Sequence, residues 1–392
     1  MEYSFLFLFV LSTLSLLLPT TTSHPTVFNV LHYGAVGDGQ TDDTNAFAKA
    51  WKQTCAVSSS SVTLRVPSHK TFLIRPLKFY GPCNSKTVTV EVYGNLVAPY
   101  DPSDWRCEHN ICGRWIHFHG LAGLTVRGHG RIDGSGARWW RTKAFEISDS
   151  DNVHIGGGLR FKDSPRMHIV LNGIRTLSVS NVTIDAPEQS PNTDGIHVTG
   201  CTNVVIDHSR IGTGDDCISI VDGSSFVTVS NVVCGPGHGI SIGSLGKNGA
   251  NDKVEHVRVS DAVFLGAQNG ARIKTWQGGR GHARHIMFER ILYHDTTNPI
   301  IIDQFYCDHQ HCRTKESAVQ IKNVTFRQIV GTSRMKTAVI LKCSKTFPCT
   351  DIVVEDMHIL TTDEHDATFE CKNVLGIAQG KTVPGLSCLD LV

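Results

Sequence analysis

Three carboxylates are the first residues in this chain able to do chemistry. Asp194 lies in Ser190-Pro191-Asn192-Thr193-Asp194-Gly195, and 21 residues later Asp215 and Asp216 lie in Gly214-Asp215-Asp216-Cys217. Both runs read as small-residue turns. Each precedes a short alternating stretch, Ile196-His197-Val198 or Ile218-Ser219-Ile220. Carboxylates brought together repel when all are ionised, so one of them should keep its proton to higher pH. A protonated acid facing an ionised one is the pair that hydrolyses a glycosidic bond. His238 adds a titratable ring, and Arg272-Ile273-Lys274 adds two cations. Such cations suit a substrate that carries carboxylates, because Arg binds carboxylate in a two-pronged fork. Taken singly, each feature is commonplace: a solvated turn, an exposed strand face, a packing histidine. The chemistry depends on whether the fold brings them together.

The elements that would do so are repeats. Leu177-Ser178-Val179-Ser180-Asn181-Val182 aligns with Val204-Val205-Ile206-Asp207-His208-Ser209 and with Val227-Thr228-Val229-Ser230-Asn231-Val232. Further copies begin at Val257, Ile286, Val324 and Ile352, and spacings run from 23 to 38 residues. The shared pattern is apolar-x-apolar, two polar residues, then apolar. A second track runs between the copies, through Ile196, Ile218, Ile240, Ala271, Ile300 and Val339. Two strands per repeat, each with one apolar face, cannot bury themselves alone, but stacked they form a continuous core. The Asn or Asp after each strand tolerates the left-handed region and can ladder with its copy above. Asn-Gly hairpin signals are scarce, which disfavours an antiparallel sandwich. The expected fold is all-β: a single-stranded right-handed parallel β-helix with an N-terminal capping helix. Asp42-Asp43-Thr44 offers that helix an N-cap, before Ala46, Phe47, Ala50 and Trp51 at helical spacing. In this stack Asp194, Asp215, Asp216, His238, Arg272 and Lys274 fall along one side, across consecutive rungs.

Charge and cysteines bound the setting. A net charge of +1 gives no global field for nucleic acid or an acidic membrane surface. The chain has 13 cysteines, and twelve fall in local pairs: Cys55 with Cys83, Cys107 with Cys112, Cys217 with Cys234, Cys307 with Cys312, Cys343 with Cys349, and Cys371 with Cys388. Cys201 is left over. Two close Cys-x-x-Cys pairs, as zinc would want, are absent, so disulfides formed in an oxidising compartment are expected. Residues 1–23 read as a signal peptide, with an apolar run from Ser4 to Leu18 followed by small residues, although Glu2 replaces the usual basic start. That run is short for a membrane span of about 20 residues. Residues 24–392 then form one catalytic domain. Asn181-Val182-Thr183 and Asn323-Val324-Thr325 are glycosylation sequons, and in a secreted chain they become candidate surface sites.

Four stretches also carry a family resemblance: Ser190 to Gly195, Gly214 to Cys217, Cys234-Gly235-Pro236-Gly237-His238-Gly239, and Arg272-Ile273-Lys274. They resemble the signature motifs of the polygalacturonases, the pectin-degrading glycoside hydrolases of family 28. The resemblance covers nearly the whole mature chain and is greatest to plant members. It implies inverting hydrolysis of the α-1,4 linkages of galacturonan, with pectin as partner, no metal or other cofactor, and action as a monomer in the cell wall. By matching positions, Asp215 is the implied general acid. Asp194 and Asp216 would activate the water, and His238 would keep the acid protonated or orient a sugar. Arg272 and Lys274 would grip the galacturonate carboxylate, and Asn192 and Tyr306 would help seat the sugar. An inverting site sets acid and base about 6.5–9.5 Å apart. The chain departs from the family at His282, where Tyr is usual, and at Arg166, where Gln is frequent. Lys247, Arg280 and Arg284 are candidates for extending the anion-binding groove. Endo and exo attack both remain open, as do a branched or rhamnose-containing pectin and a catalytically silent polysaccharide-binding β-helix.

Overall fold

Leu177 pairs with Val204, Val204 with Val227, and Val227 with Val257, and the ladder continues through Ile286 and Val324 to Ile352. This is the register that the sequence alignment requires. The second track behaves alike, as Ile196, Ile218, Ile240, Ala271, Ile300 and Val339 follow one another up a second ladder. The computed structural model describes residues 26–105, 113–138, 143–308, 312–316 and 318–391. The expected signal peptide lies outside these residues. The named strands pair in parallel within one 22-stranded and one 11-stranded sheet, wound as a right-handed parallel β-helix.

Each turn of the helix carries three strands in many rungs rather than two, as in Leu177–Ser180, Thr183–Asp185 and Ile196–Thr199. A single left-handed residue explains the extra strand. Asn181, His208, Asn231, Asp261, Arg290, Gln328 and Asp356 occupy one corner in successive rungs, with φ between 46° and 54°. The chain bends sharply there: beyond Asn181, His208 and Asn231 the apolar residues start a new short strand, whereas at Asp261, Arg290, Gln328 and Asp356 one strand runs on through the bend. Asn and Asp favour this conformation, and the ladder above and below holds His, Arg and Gln to it as well.

Inward side chains stack in columns. Val179, Ile206, Val229, Val259, Phe288 and Phe326 follow one another in register and are fully buried. Each such side chain contributes about 1.5–3 kcal/mol by leaving water. Outside the column, rungs are tied by charge. Glu289 is fully buried beneath Arg258 from the rung before and Arg327 from the rung after. Burial alone would raise its carboxyl; the arginines overrule this and hold it below its usual range.

Helix α1 (Thr44–Ala56) covers the N-terminal end of the stack. Phe47 packs edge-on to Phe72, and Trp51 packs edge-on to Phe79 and Phe118. The cap differs in detail from the expected one. Asp43 stands at the N-cap without a side-chain cap bond, and its carboxylate instead accepts from Val36 N–H and Gly37 N–H. Asp42 takes the Thr44 N–H at 3.1 Å. Asp43 therefore pins the preceding Gly-rich turn onto the helix.

Among the described residues, five disulfides join Cys55 to Cys83, Cys217 to Cys234, Cys307 to Cys312, Cys343 to Cys349, and Cys371 to Cys388. The sixth expected bond, between Cys107 and Cys112, is not one of them. Both Cys107 and Cys112 lie outside the described residues, so that pairing stands on the sequence alone. Cys201 is a buried free thiol, and burial pushes it up to about 11. Asn181 and Asn323 are both exposed at left-handed corners. Among the described residues no helix is long and apolar enough to cross a membrane.

Candidate active site

Around the cleft the 11-stranded sheet alternates between core and surface. Ile196, Val198, Ile218, Ile220, Ile240, Ile242, Ala271 and Ile273 point into the core, so His197, Ser219, Ser241, Arg272 and Lys274 point out. The turns leading into these strands supply the carboxylates. Thr193 fastens two of them together. Its hydroxyl donates to Ser190 O at 3.0 Å and accepts from Gly214 N–H at 3.0 Å. The turns approach so closely that a Cβ on Gly214 would stand 2.0 Å from Ser190 O.

Two relays of the same form hold Asp194 and Asp216. His197 Nδ1 lies 2.7 Å from Ser219 Oγ, which donates to Asp194 Oδ2 at 2.7 Å. One rung on, Arg272 Nε donates to Ser241 Oγ at 2.9 Å, and Ser241 Oγ donates to Asp216 Oδ1 at 2.7 Å. Lys274 Nζ completes the second set at 2.8 Å from Asp216 Oδ2, with Arg272 Nη2 at 3.1 Å from Oδ1. Asp216 is 2% exposed and Lys274 is 9% exposed, so this ion pair sits largely out of water. Burial alone would push the Asp194 carboxyl up, but His197, Ser219 and the charge of Lys274 overrule it and leave it below the usual carboxylate range. Behind Asp194, buried His168 donates from Nδ1 to the Asp194 carbonyl at 3.2 Å while its Nε2 accepts from Ser164 N–H. Burial pushes His168 down to about 4, so it acts as a neutral brace.

Asp215 is arranged differently. Its Oδ1 accepts from Asp216 N–H at 2.8 Å and lies 3.0 Å from His238 Nδ1. Both contacts fall on one oxygen, which leaves Oδ2 facing the cleft without a protein partner among the described residues. The His238 N–H donates to the Asp215 carbonyl at 2.8 Å, so side chain and main chain are held by one loop. The Cys217–Cys234 disulfide ties that loop to the Asp215 turn from beneath.

These groups line one cleft of about 610 Å³, which includes Asn192, Asp194, Asp215, Asp216, His238, Arg272, Lys274 and Tyr306. All eight residues singled out from sequence therefore meet on one surface. Asn192 is exposed with φ 56°, and Tyr306 lies with its ring 5.4 Å from Lys274 Nζ. Lys247 also lines the cleft, over the Trp276 ring and paired with Asp308 at 2.8 Å. Arg280 and Arg284 do not line it, and Arg284 pairs with Glu255 on the other sheet. His282 contacts the same Glu255, and Arg166 is exposed, so neither departure from the family pattern lines the cleft. Sequence reasoning missed His197, Ser219, Ser241 and His168. The first three had a visible signal: His197, Ser219, Ser241 and Arg272 are register neighbours in successive strands, a polar column between apolar ones.

Asp215, Asp216 and His238 present one donor atom each within 4.8 Å of one another, close enough to invite a cation. Asp216 is poorly suited to one. Its oxygens already accept from Ser241, Arg272 and Lys274, whose two positive charges a metal ion would have to displace. The donor set suits proton transfer.

The sequence model of the glycosyl hydrolases family 28 matches residues 55–383. The chain belongs to glycosyl hydrolase family 28. It is accordingly a glycoside hydrolase. Among its family 28 relatives, a probable polygalacturonase of Arabidopsis thaliana is 44% identical over 375 residues, covering 93% of this chain and 80% of that one. A polygalacturonase of Persea americana is 43% identical over 380 residues, covering 93% and 80%. Among solved structures, the endo-xylogalacturonan hydrolase from Aspergillus tubingensis superposes with a TM-score of 0.75 at 23% identity, covering 91% of this chain and 96% of that one. A polygalacturonase from Erwinia carotovora gives 0.73 at 22% identity, covering 89% and 96%. At these identities the two structures speak for the fold. They place this family 28 chain among parallel β-helices.

Proposed function

We propose that this chain hydrolyses the α-1,4-galacturonosyl linkages of pectin by single displacement. The observation that carries the reading is the pairing of Asp215, with one oxygen free toward the cleft, and Asp216, clamped by Arg272 and Lys274. Asp215 Oδ2 carries the proton and Oδ1 stays an acceptor for two donors. The proton passes to the glycosidic oxygen as its bond to the anomeric carbon breaks. A water held between Asp194 and Asp216 attacks that carbon from the opposite face, and its proton goes to a carboxylate. Asp216 itself makes a poor nucleophile, because Ser241 and Arg272 donate to Oδ1 and Lys274 to Oδ2, which holds its charge in place and leaves one Oδ2 lone pair for the water. That arrangement favours inversion.

The cations serve two charges at once. Arg272 has five N–H donors and uses two on Ser241 and Asp216; Lys274 has three and uses one. The remainder are available to a galacturonate carboxylate beside Tyr306. The relatives named polygalacturonase support this substrate. The disulfides support folding in an oxidising compartment, with residues 1–23 as the secretion signal, residues 24–392 as one catalytic domain, and the cell wall as destination. The test is to incubate the purified protein with polygalacturonate, assay reducing ends, and follow the first product by proton NMR. Release of β-configured ends supports the reading. A silent protein overturns the activity, and α-configured first products overturn single displacement.

A further inference from the structure

We propose that Arg334 holds a second uronate carboxylate, in a subsite beyond His238 from Lys274. This inference rests on the galacturonan reading above. A pocket of about 330 Å³ adjoins the catalytic cleft and shares His238 and Gln268 with it. Its other walls are Glu188, Gly237, Gly266, Thr297 and Arg334. A polymer bound over Asp215 that extends past His238 enters this pocket.

Arg334 is exposed, and among the described residues no carboxylate stands within ion-pair distance of its guanidinium. The arginines elsewhere on the outer faces are often paired across rungs, as Arg258 and Arg327 are with Glu289 and Arg290 is with Asp261. The backbone fixes the base of the Arg334 side chain, since its N–H donates to Thr296 O at 3.0 Å. Gly266 makes room for the tip. A Cβ at Gly266 would stand 3.0 Å from the Arg334 Nη2, so the guanidinium rests against this glycine. Glu188 shares the pocket without pairing to Arg334. That combination fits a uronate better than a neutral sugar or a simple anion. The guanidinium takes the carboxylate in a fork, while Glu188 and Gln268 accept from and donate to ring hydroxyls.

The experiment uses the full chain in the Asp215→Asn background, where bound oligomers persist, and compares it with Asp215→Asn/Arg334→Ala by calorimetry. The probes are a galacturonate octamer and its fully methyl-esterified counterpart. Loss of Arg334 should weaken the free-acid octamer about two- to five-fold, as expected for one exposed charged contact. It should narrow the preference for free acid over ester by the same factor, and Arg334→Lys should restore part of both. Equal Kd values for the two proteins overturn the subsite. An equal loss for acid and ester also overturns it, since that marks a shape effect without carboxylate recognition. If the unsubstituted chain releases no reducing ends from polygalacturonate, the galacturonan reading fails and takes the subsite with it. That result is distinct from an active enzyme whose affinity ignores Arg334.

Discussion

Lys274 reaches back across two rungs to Asp216, with Nζ 2.8 Å from Oδ2 and both side chains almost sealed from water. A residue expected from sequence to grip only substrate thus also holds the carboxylate proposed to position the water. Lys274→Ala should therefore lower kcat as well as raise KM. Asp216 keeps Arg272 and Ser241, so the stability loss should be about 1–3 kcal/mol, below the 3–5 kcal/mol of a buried pair with no other partner. Steady-state kinetics on polygalacturonate and a denaturant melt measure both. A change in KM alone would show that the Asp216 contact is idle.

Asp215→Asn preserves the acceptor oxygen for Asp216 N–H and His238 but removes the transferable proton. The melting temperature should stay close to wild type while kcat falls by at least about 100-fold, the low end for a positioned acid. Near-normal turnover with an intact fold would remove Asp215 from the role of acid.

Asp194 titrates below its usual range, through His197, Ser219 and Lys274 acting against burial. An acid with a depressed folded pKa stabilises the fold above its unfolded value, and that contribution is lost as pH falls through the folded pKa. Ser219→Ala removes one of the groups that lower it. The acid limb of kcat/KM should move to higher pH, and stability below about pH 4 should become less sensitive to further acidification. An unmoved acid limb would mean that Asp194 does not need to be ionised in the free enzyme.

The Cys217–Cys234 bridge closes a loop of 17 residues between the turns that bear Asp215 and His238. Replacing both by Ala should cost about 3 kcal/mol by loop closure alone. Turnover should fall further than the unfolded fraction explains, because Asp215 and His238 lose their common support. If kcat per folded molecule is preserved, the backbone bond from His238 N–H to Asp215 O suffices.

Much of this architecture is written locally. The apolar-x-apolar runs state their own register, because a one-residue slip would turn Val179 or Ile206 out of the core. The turns bearing Asp194 and Asp215 follow from that register, and so does their meeting. The relays were harder to see. Ser219 and Ser241 carry no chemistry of their own, and their meaning lies in neighbours 25 residues back, Asp194 and Asp216. His168 reads as an ordinary core residue until its bond to the Asp194 carbonyl is seen. The use of Asp43 to fasten the Val36-Gly37 turn competes with helix capping, and both draw on the same residue type.

The repeated left-handed corner has a consequence for how this enzyme can be altered. With one corner at the same station in successive rungs, the cleft floor is a ruler with marks about 4.8 Å apart. From the strand after Met167 to the strand ending at Tyr306 it spans five such intervals, roughly 24 Å. Substitutions two marks apart are beyond the distance at which energies usually couple, whereas those on adjacent marks share partners. Sugar preferences along the cleft can therefore be rewritten one position at a time, except at Asp194, Asp216 and the residues that hold them.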